Sequence, residues 1–266
     1  MEKRVSQEIQ FNSDPNNLRP GEENLNKLYF EQAQNELTKG LSGSAKVVQS
    51  FPRFARTIDI TRFLVFYECF KKIVDIHGSI CEVGLLHGNC TFSMAHFSEI
   101  FEPRNYLREI IGFDTFEGHT MNFSDKDNLN SQENKNFARF NPNTVSSLSD
   151  IQASADLFES SKHLTQFKKI RLIKGDACET IPSFTRSNTG LIVSMIILGS
   201  DIYAPSVAAL RNLYPLMPKG GLVLAGASGF NQNPGETQAI FDEVGIGNVE
   251  LKRFDFATKW SYFIKR

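Results

Sequence analysis

The sequence predicts an α/β protein with a doubly wound, mostly parallel sheet that ends in an antiparallel strand pair. Apolar runs typical of strands alternate with stretches of helical periodicity from residue 59 to residue 264. The run at 191–198 is apolar almost throughout, as expected of a strand covered on both faces. A glycine turn at 84–88 joins one strand to one helix. These features together indicate helices on both faces of one sheet.

Length and composition narrow the functional class. A chain of 266 residues suits one large domain with additions, or at most two domains, and its 23 phenylalanines can fill a sizeable core. The net charge of −1 gives no field that would attract nucleic acid or an anionic membrane surface. No run approaches the length of a membrane span, and the N-terminus lacks an apolar signal core. We therefore expect a cytoplasmic protein without nucleic-acid or membrane partners.

The four cysteines show no C-x-x-C spacing and lie in or beside predicted helices and strands. They are expected to be reduced core or turn residues, and no zinc site is expected.

Two regions fall outside the regular alternation. Residues 1–50 are rich in Asn, Gln, Glu and Ser, and we expect a polar arm or cap with one weak helix at 23–39; disorder is the alternative. Residues 51–266 then form the main domain. Within it, the polar stretch at about 119–165 is too long for an ordinary connection, so we expect a lid insertion with one helix near 149–161.

The remaining elements follow from periodicity and from turn residues. Thr57 or Asp59 can cap the first long helix, Gly78 ends it, and Pro205 suits the first turn of a later helix. The predicted helices are 59–76, 92–101, a short one ending at 184, 204–217 and 234–244. The predicted strands are 80–83, 110–113, 170–174, 191–198 and 222–225, and the final pair is 249–254 with 260–264.

The glycine turn indicates a cofactor site. Its spacing is Glu82-x-Gly84-x-x-x-Gly88, which is not the G-x-G-x-x-G pyrophosphate fingerprint, so NAD or FAD is the weaker interpretation. An acid before the first glycine suits a cationic ligand without phosphate, such as S-adenosylmethionine (SAM). A plain turn with chance glycines is the alternative. Asp114 ends the next strand, where an acid can take the hydroxyls of a ribose.

Acids recur at one edge of the predicted sheet. Glu82, Asp114, Asp176 and Asp201 all fall at carboxyl ends of strands, where doubly wound sheets bind ligands. Their shared placement is stronger evidence for a site than any single motif.

In the order of its motifs, the chain resembles the SAM-dependent macrocin O-methyltransferases, nearest the branch that methylates a 3-hydroxyl of nucleotide-linked 6-deoxy sugars. The matching stretches are FPRFARTIDITRFLVFYECFKK, GSICEVGLLHG, IIGFDTFEG, LIKGDACETIP, DIYAPSVAALRNLYPLMPKGGLVL and NPGETQAIFDE.

The resemblance implies a Rossmann-like fold that binds SAM and releases S-adenosylhomocysteine (SAH). It implies that Glu82, Gly84 and Gly88 hold the methionine part of SAM, that Asp114 takes the ribose and that Asp176 and Ala177 take the adenine. It further implies a small hydroxylated acceptor such as a nucleotide sugar, a sugar site shaped by residues 119–165, and a homo-oligomer.

Two motifs depart from that family. The family reads D-x-D-L-Y-E-P-T where this chain has GSDIYAPS from Gly199 to Ser206, and F-D-D-Y or F-D-E-Y where it has AGAS from Ala225 to Ser228. Those acids hold a divalent metal in the family, and only Asp201 remains here. Mg²⁺ needs several oxygens and carboxylate charge, so we expect no divalent metal.

Without a metal, the reaction needs proximity and a general base. Asp201 and His119 are the candidate catalytic residues, since Asp201 ends a strand and His119 directly follows the FDTFEG motif. His87 is expected to shape the turn, and Ser228 has no visible activating partner.

Three hypotheses remain open. The first is an O-methyltransferase acting on a sugar or similar metabolite without the usual metal. The second is a non-catalytic SAM-binding protein, and the third is an enzyme of the same fold with a non-methylating reaction. The first is favoured because the lid and the substrate-side sequence are present.

Overall fold

The protein is described here from a computed structural model that covers residues 22–118, 123–127, 146–226, 228–229 and 234–266. The strands are β1 (Ser79–Val83), β2 (Ile110–Asp114), β3 (Ile170–Lys174), β4 (Val193–Leu198), β5 (Leu222–Ala225), β6 (Lys252–Phe254) and β7 (Ala257–Ile264). The helices are α1 (Glu22–Leu37), α2 (Leu41–Gln49), α3 (Phe51–Phe54), α4 (Thr57–Ile73), α5 (Asn89–Phe101), α6 (Leu148–Ser161), α7 (Ala177–Ser187), α8 (Tyr203–Leu213) and α9 (Gly235–Glu243).

The seven strands of the described residues form one sheet in the order β3-β2-β1-β4-β5-β7-β6. The first five are parallel, and β7 runs antiparallel to both β5 and β6. The predicted fold class, a doubly wound sheet with a final antiparallel pair, is confirmed. Because the strand order reverses between β1 and β4, the crevice at their carboxyl ends is where such sheets bind ligands.

The core has two layers, as the alternation along β1 shows. Ile80 packs with Phe66 and Met94 on one face, and Cys81 and Val83 pack against the opposite layer. Glu82 follows the same alternation as Ile80, so its carboxyl group points towards α5.

The helix α6 belongs to the sheet layers. The parallel neighbours β2 and β3 need a crossover connection, and α6 is the helix within it. Ile151 of α6 packs against Leu85 and Phe116, which follow β1 and β2. Within the expected lid at about 119–165, α6 is therefore part of the regular fold, and residues 119–122 and 128–145 lie outside the described residues.

The described residues 22–62 belong to a separate compact unit, in which α2 was not predicted. Glycine and serine at 40–44 ordinarily indicate the end of a helix, yet Gly43 lies inside α2. A Cβ atom on Gly43 would lie 1.8 Å from the carbonyl oxygen of Glu36 in α1. The glycine is therefore required by close helix packing, which no local pattern could distinguish from a helix stop.

A buried arginine joins the amino-end half of the sheet to α4. The Arg108 side chain is about 1% exposed, and its Nε lies 2.5 Å from Oε1 of Glu102. One terminal nitrogen donates to Ser194 Oγ at 2.6 Å and to the carbonyl oxygen of Gly78 at 2.8 Å. The other donates to three carbonyl oxygens at the end of α4 and just after it, those of Ile73, Val74 and Ile76.

All four cysteines are free thiols, three of them buried. Burial raises the pKa of the Cys69 and Cys81 thiols above the ordinary range, which makes both groups unreactive. Within the described part of the chain, no helix combines the length and apolarity that crossing a membrane requires.

Candidate active site

The turn after β1 is held in conformations that favour glycine. Gly84 and Gly88 have φ of 86° and 74°, and Leu86 between them has φ of 54°. A Cβ atom on Gly84 would lie 2.8 Å from the backbone nitrogen of Ser200. The turns after β1 and β4 are therefore in direct backbone contact, at the place where the strand order of the sheet reverses.

Glu82 is a buried acid beneath this turn. Thr91 of α5 donates its hydroxyl hydrogen to Oε2 of Glu82. Burial raises the pKa of Glu82 from 4.5 to about 8, and the charge of Asp114 acts in the same direction. A carboxyl group poised in this way can ionise when a cation binds beside it. The role of Thr91 could not be predicted from the sequence, because a threonine inside an apolar helix carries no distinctive signal.

We predict that SAM affinity rises with pH between about 5.5 and 7.5, by at most about tenfold per pH unit for one released proton. The pKa of Glu82 is about 8 in the free protein, so a cationic ligand must displace its proton in this window. The raised pKa also means that the contribution of Glu82 to the stability of the free protein falls as pH rises from 4.5 towards 8, because the unfolded state gives up this proton first. Calorimetry in buffers of different ionisation enthalpy measures both the affinity and the proton release.

The Glu82→Gln variant is the control, because an amide keeps the shape but cannot titrate. Its SAM affinity should be nearly flat over the same pH range. A wild-type affinity that does not change with pH would contradict the prediction. The affinity is compared only up to pH 7.5, because the α-amino group of an amino acid ligand begins to lose its own proton near pH ~7.7.

Asp114 clamps the turns that follow β1 and β2. Its Oδ2 accepts the Leu85 N–H at 2.5 Å, and its Oδ1 accepts the Phe116 N–H at 2.7 Å. Each carboxylate oxygen has a second lone pair, which leaves acceptor capacity for the hydroxyls of a ribose. The sequence predicted the position of this acid but not its backbone partners.

Asp176 lies at the end of the neighbouring strand. Gly175 donates its N–H to the Asp114 carbonyl oxygen at 2.9 Å, so the two strand ends are adjacent. Asp176 caps α7 by accepting the Cys178 N–H at 2.8 Å, and Ala177 begins that helix, buried. The strand ends that carry Asp114 and Asp176 are therefore neighbours, and the adenine contact of Asp176 and Ala177 stays a prediction.

Asp201 follows β4 in a left-handed conformation with φ of 59°, and it is 8% exposed. Its N–H donates to Oε1 of Glu236 at 3.1 Å. Glu236 is fully buried in the first turn of α9. Glu236 could not be predicted from the sequence, because an acid in the first turn of a helix is ordinary.

Backbone strain is concentrated at one edge of the sheet. Among the described residues, the non-glycine positions with positive φ are Leu86, Phe116 and Asp201, which follow β1, β2 and β4. Such conformations persist where the surroundings impose them, and they cluster at functional sites. Glu82, Gly84, Gly88, Asp114, Asp176, Ala177 and Asp201 all belong to this edge, while His119 lies outside the described residues.

One part of the expected lid is fastened to the same edge. Asp127 is buried, and its carboxylate accepts the Tyr203 N–H at 2.6 Å and the Ser124 N–H at 2.8 Å. Lys126 forms an ion pair with Asp242 of α9, and Tyr203 also donates to Asp242, at 2.6 Å. Residues 123–127 are thus anchored to α8 and α9, next to the turn that carries Asp201.

A second attachment lies at the glycine turn. The Ser146 N–H donates to the Leu86 carbonyl oxygen at 3.2 Å, and Ser146 Oγ lies 3.1 Å from Nδ1 of His87. His87 therefore contacts the start of the α6 region, in keeping with a role in the shape of the turn.

The residues at the expected metal position do not fit a divalent cation. Gly199 and Gly226 provide no side-chain ligands, and no group of three His, Cys, Asp or Glu suited to a metal occurs in the described parts of the chain. The hydroxyls of Ser200, Ser228 and Ser261 are buried and find no hydrogen-bond partner in the described structure. Of the carboxylates that the family has in its two motifs, only that of Asp201 is present, and neutral oxygens beside it do not supply the charge that Mg²⁺ requires. Ala227 lies outside the described residues.

Close packing also leaves little room for a side chain at Gly199 and Gly226. A Cβ atom on Gly199 would lie 2.7 Å from the Gly84 carbonyl oxygen, and one on Gly226 would lie 3.3 Å from the Trp260 ring. Trp260 is held in turn by an edge-on contact with Phe66, with ring centroids 5.6 Å apart. Returning an acid to position 199 therefore requires movement of the backbone that forms the glycine turn.

We predict that Gly199→Asp destabilises the fold by about 1–3 kcal/mol, as overpacking does, and weakens SAM binding without creating a Mg²⁺ site. The reason is the 2.7 Å approach to Gly84, which is backbone and cannot rotate away. Gly190→Asp is the matched control, because a Cβ atom there meets nothing within 4 Å. Thermal unfolding and SAM calorimetry measure both effects. A Gly199→Asp protein as stable as the control would contradict the prediction.

The sheet order, the glycine turn at its switch point and the acids at the neighbouring strand ends define the class: a Rossmann-like SAM-dependent methyltransferase. Residues 7–258 match the macrocin O-methyltransferase (TylF) family model. The chain belongs to that family, and it is a SAM-dependent O-methyltransferase.

Solved structures agree with this fold. CalS11, a calicheamicin methyltransferase, superposes with a TM-score of 0.80 at 22% identity, covering 92% of this chain and 93% of that chain. The apo structure of CalS11, named there a TDP-rhamnose 3'-O-methyltransferase, gives a TM-score of 0.73 at 22% identity, covering 90% and 93%. The O-methyltransferase NovP gives 0.61 at 16% identity, covering 77% and 80%. No curated protein sequence matches the chain.

Proposed function

We propose that the protein methylates a hydroxyl of a sugar, in particular a nucleotide-linked 6-deoxy sugar, and does so without a divalent metal. The observation that carries this proposal is the position of Asp201. It is the acid retained from the family's two metal motifs, and it follows Ser200, whose backbone nitrogen faces Gly84 of the cofactor turn. The acceptor class is supported by the name of CalS11, a TDP-rhamnose 3'-O-methyltransferase.

The proposed cofactor contacts follow the edge of the sheet. Glu82, ionised by the bound cation, Gly84 and Gly88 hold the methionine part. Asp114 accepts from the ribose hydroxyls, and Asp176 with Ala177 borders the adenine. Bound SAM supplies a methyl group attached to a positively charged sulfur.

The proposed chemistry then needs one protein group. As the acceptor oxygen bonds to the methyl carbon, the carbon–sulfur bond breaks and SAH leaves. The hydroxyl proton passes to Asp201, which acts as the general base. No residue of the chain changes oxidation state, and no metal-bound oxygen is required. His119 is the alternative base.

The remaining sequence predictions stay predictions. They are a homo-oligomer, a cytoplasmic location, an N-terminal arm or cap at 1–50, and a lid that covers the acceptor. The attachment of Asp127 to Tyr203 supports the lid, because it brings the insertion to the turn that carries Asp201.

The test is a SAM-to-SAH turnover assay with nucleotide-sugar and polyol acceptors, in the presence and absence of chelator. We expect turnover with a nucleotide-linked deoxy sugar that chelator leaves unchanged. Turnover that collapses with chelator would contradict the metal-free mechanism. SAM binding without turnover on any acceptor would favour a non-catalytic SAM-binding protein, and SAM consumption without methyl transfer would favour the non-methylating alternative.

A further inference from the structure

The start of α9 is packed directly against the turn that carries Asp201. A Cβ atom on Gly235, the first residue of α9, would lie 2.5 Å from the Tyr203 nitrogen and 2.8 Å from the Ile202 carbonyl carbon. The nearest atom to the same position is Oδ1 of the Asp127 side chain, which also accepts the Tyr203 N–H. The start of α9 is therefore packed against the backbone of residues 202–203 and against Asp127.

Glu236 follows immediately and makes the polar contact. Its carboxyl group is inaccessible to solvent, and its Oε1 accepts the Asp201 N–H at 3.1 Å. A buried carboxyl group is costly unless its hydrogen bonds repay the loss of water. Its position across 35 residues of sequence from Asp201 shows that the contact is tertiary and does not arise from helix formation alone.

Asp201 needs such a support. Its φ of 59° places a non-glycine residue in the left-handed region, which is unfavourable in isolation. A conformation of this kind persists only where neighbouring structure imposes it. A hydrogen bond on the Asp201 nitrogen restrains the backbone at the strained residue itself.

We propose that Glu236 is the positioning residue for the methyl-transfer reaction. It fixes the backbone of Asp201 so that the Asp201 carboxylate meets the acceptor hydroxyl. Glu236 itself touches neither acceptor nor cofactor and acts through the Asp201 N–H. The inference rests on the proposed function, in which Asp201 is the general base. In this protein a carboxylate on α9 thus orders a turn that carries metal ligands in the family.

The experiment compares three substitutions at one position. Glu236→Gln retains an oxygen that accepts the Asp201 N–H. Glu236→Asp retains the charge but shortens the side chain by one methylene, and Glu236→Ala removes both. Glu243→Ala is the matched control, since Glu243 lies on the same helix and its 2.6 Å ion pair with Arg211 also joins α9 to α8.

We expect Glu236→Ala and Glu236→Asp to lower kcat by about ten- to a hundredfold, the usual cost of a misplaced catalytic group. The KM for SAM should stay unchanged, because the cofactor contacts lie on other turns. Glu236→Gln should restore most of kcat, and Glu243→Ala should keep it. Wild-type kcat in the Ala variant would overturn the proposal. So would a Gln variant as slow as Ala, because charge would then matter and not the hydrogen bond. If the Ala variant does not fold, the Asp and Gln pair decides the question.

A second measurement separates this proposal from the proposed function. Hydrogen exchange at the Asp201 amide should be slow in wild type and in Glu236→Gln, and fast in Glu236→Asp, whether or not turnover is found. Slow exchange together with absent turnover on every acceptor would refute the proposed function and leave the positioning contact intact. Exchange as fast in wild type as in Glu236→Asp would refute the positioning contact.

Discussion

Asp201→Asn is expected to lower kcat by about 10²–10⁴-fold, the contribution of a well-placed general base. The amide has the shape of the acid and keeps the N–H that donates to Glu236, so the strained turn should survive. SAM affinity should not change, because the proposed cofactor contacts lie after β1, β2 and β3. Single-turnover SAH formation measures the chemical step directly.

Two further variants make this result specific. Asp242→Asn removes another acid near the same turn, one that is bonded to Tyr203 and Lys126, and it should retain most of the activity. His119→Gln tests the other candidate base. Full activity in Asp201→Asn together with its loss in His119→Gln would transfer the role of base to His119.

Arg108→Ala is expected to lower the free energy of unfolding by about 3–5 kcal/mol, as loss of one partner from a buried ion pair does. The variant leaves Glu102 without its 2.5 Å partner. It also leaves the carbonyl oxygens of Ile73, Val74 and Ile76 without the guanidinium that donates hydrogen bonds to them. Urea unfolding at neutral pH gives the stability difference.

Arg104→Ala is the matched control, because Arg104 lies exposed in the same loop. It should change stability very little. Equal unfolding free energies for the two variants would show that the buried network contributes nothing. Arg108 serves the amino-end half of the sheet, so the remaining folded Arg108→Ala protein should keep its KM for SAM.

Strands were the most predictable part of the fold. The predicted ends of β3 and β5 match the structure, because each strand is a short segment followed directly by a glycine. Helix ends were less accurate. The predicted helix at 204–217 is α8 followed by a 3-10 turn at Tyr214–Leu216, since Pro215 has no N–H to continue the α-helical pattern.

The candidate site was predictable where a residue's role depends on its place along a strand. Glu82, Asp114, Asp176 and Asp201 follow from strand ends alone, because parallel strands bring their carboxyl ends to one edge. The contacts that hold these acids were not predictable. Glu236 bonds to a backbone N–H, and the backbone has no sequence signature.

The same limit explains the insertion. Asp127 lies in a polar stretch whose composition indicated only a long loop, and its bond to the Tyr203 N–H joins segments far apart in the chain. Local propensity carries no information on such a pairing, so the hydrogen bond between Tyr203 and Asp127 is visible only in the structure.

The contact between Gly84 and Gly199 limits what substitutions can do at this edge of the sheet. Each glycine lies where a side chain on the other would go, since a Cβ on Gly84 meets the backbone of residue 199 and a Cβ on Gly199 meets the Gly84 carbonyl oxygen. An acid placed at 199 alone would therefore disturb the turn proposed to bind the cofactor before any cation could compensate. Under the proposed metal-free mechanism, one substitution cannot create metal dependence at this edge, because packing between the two turns opposes the first acid.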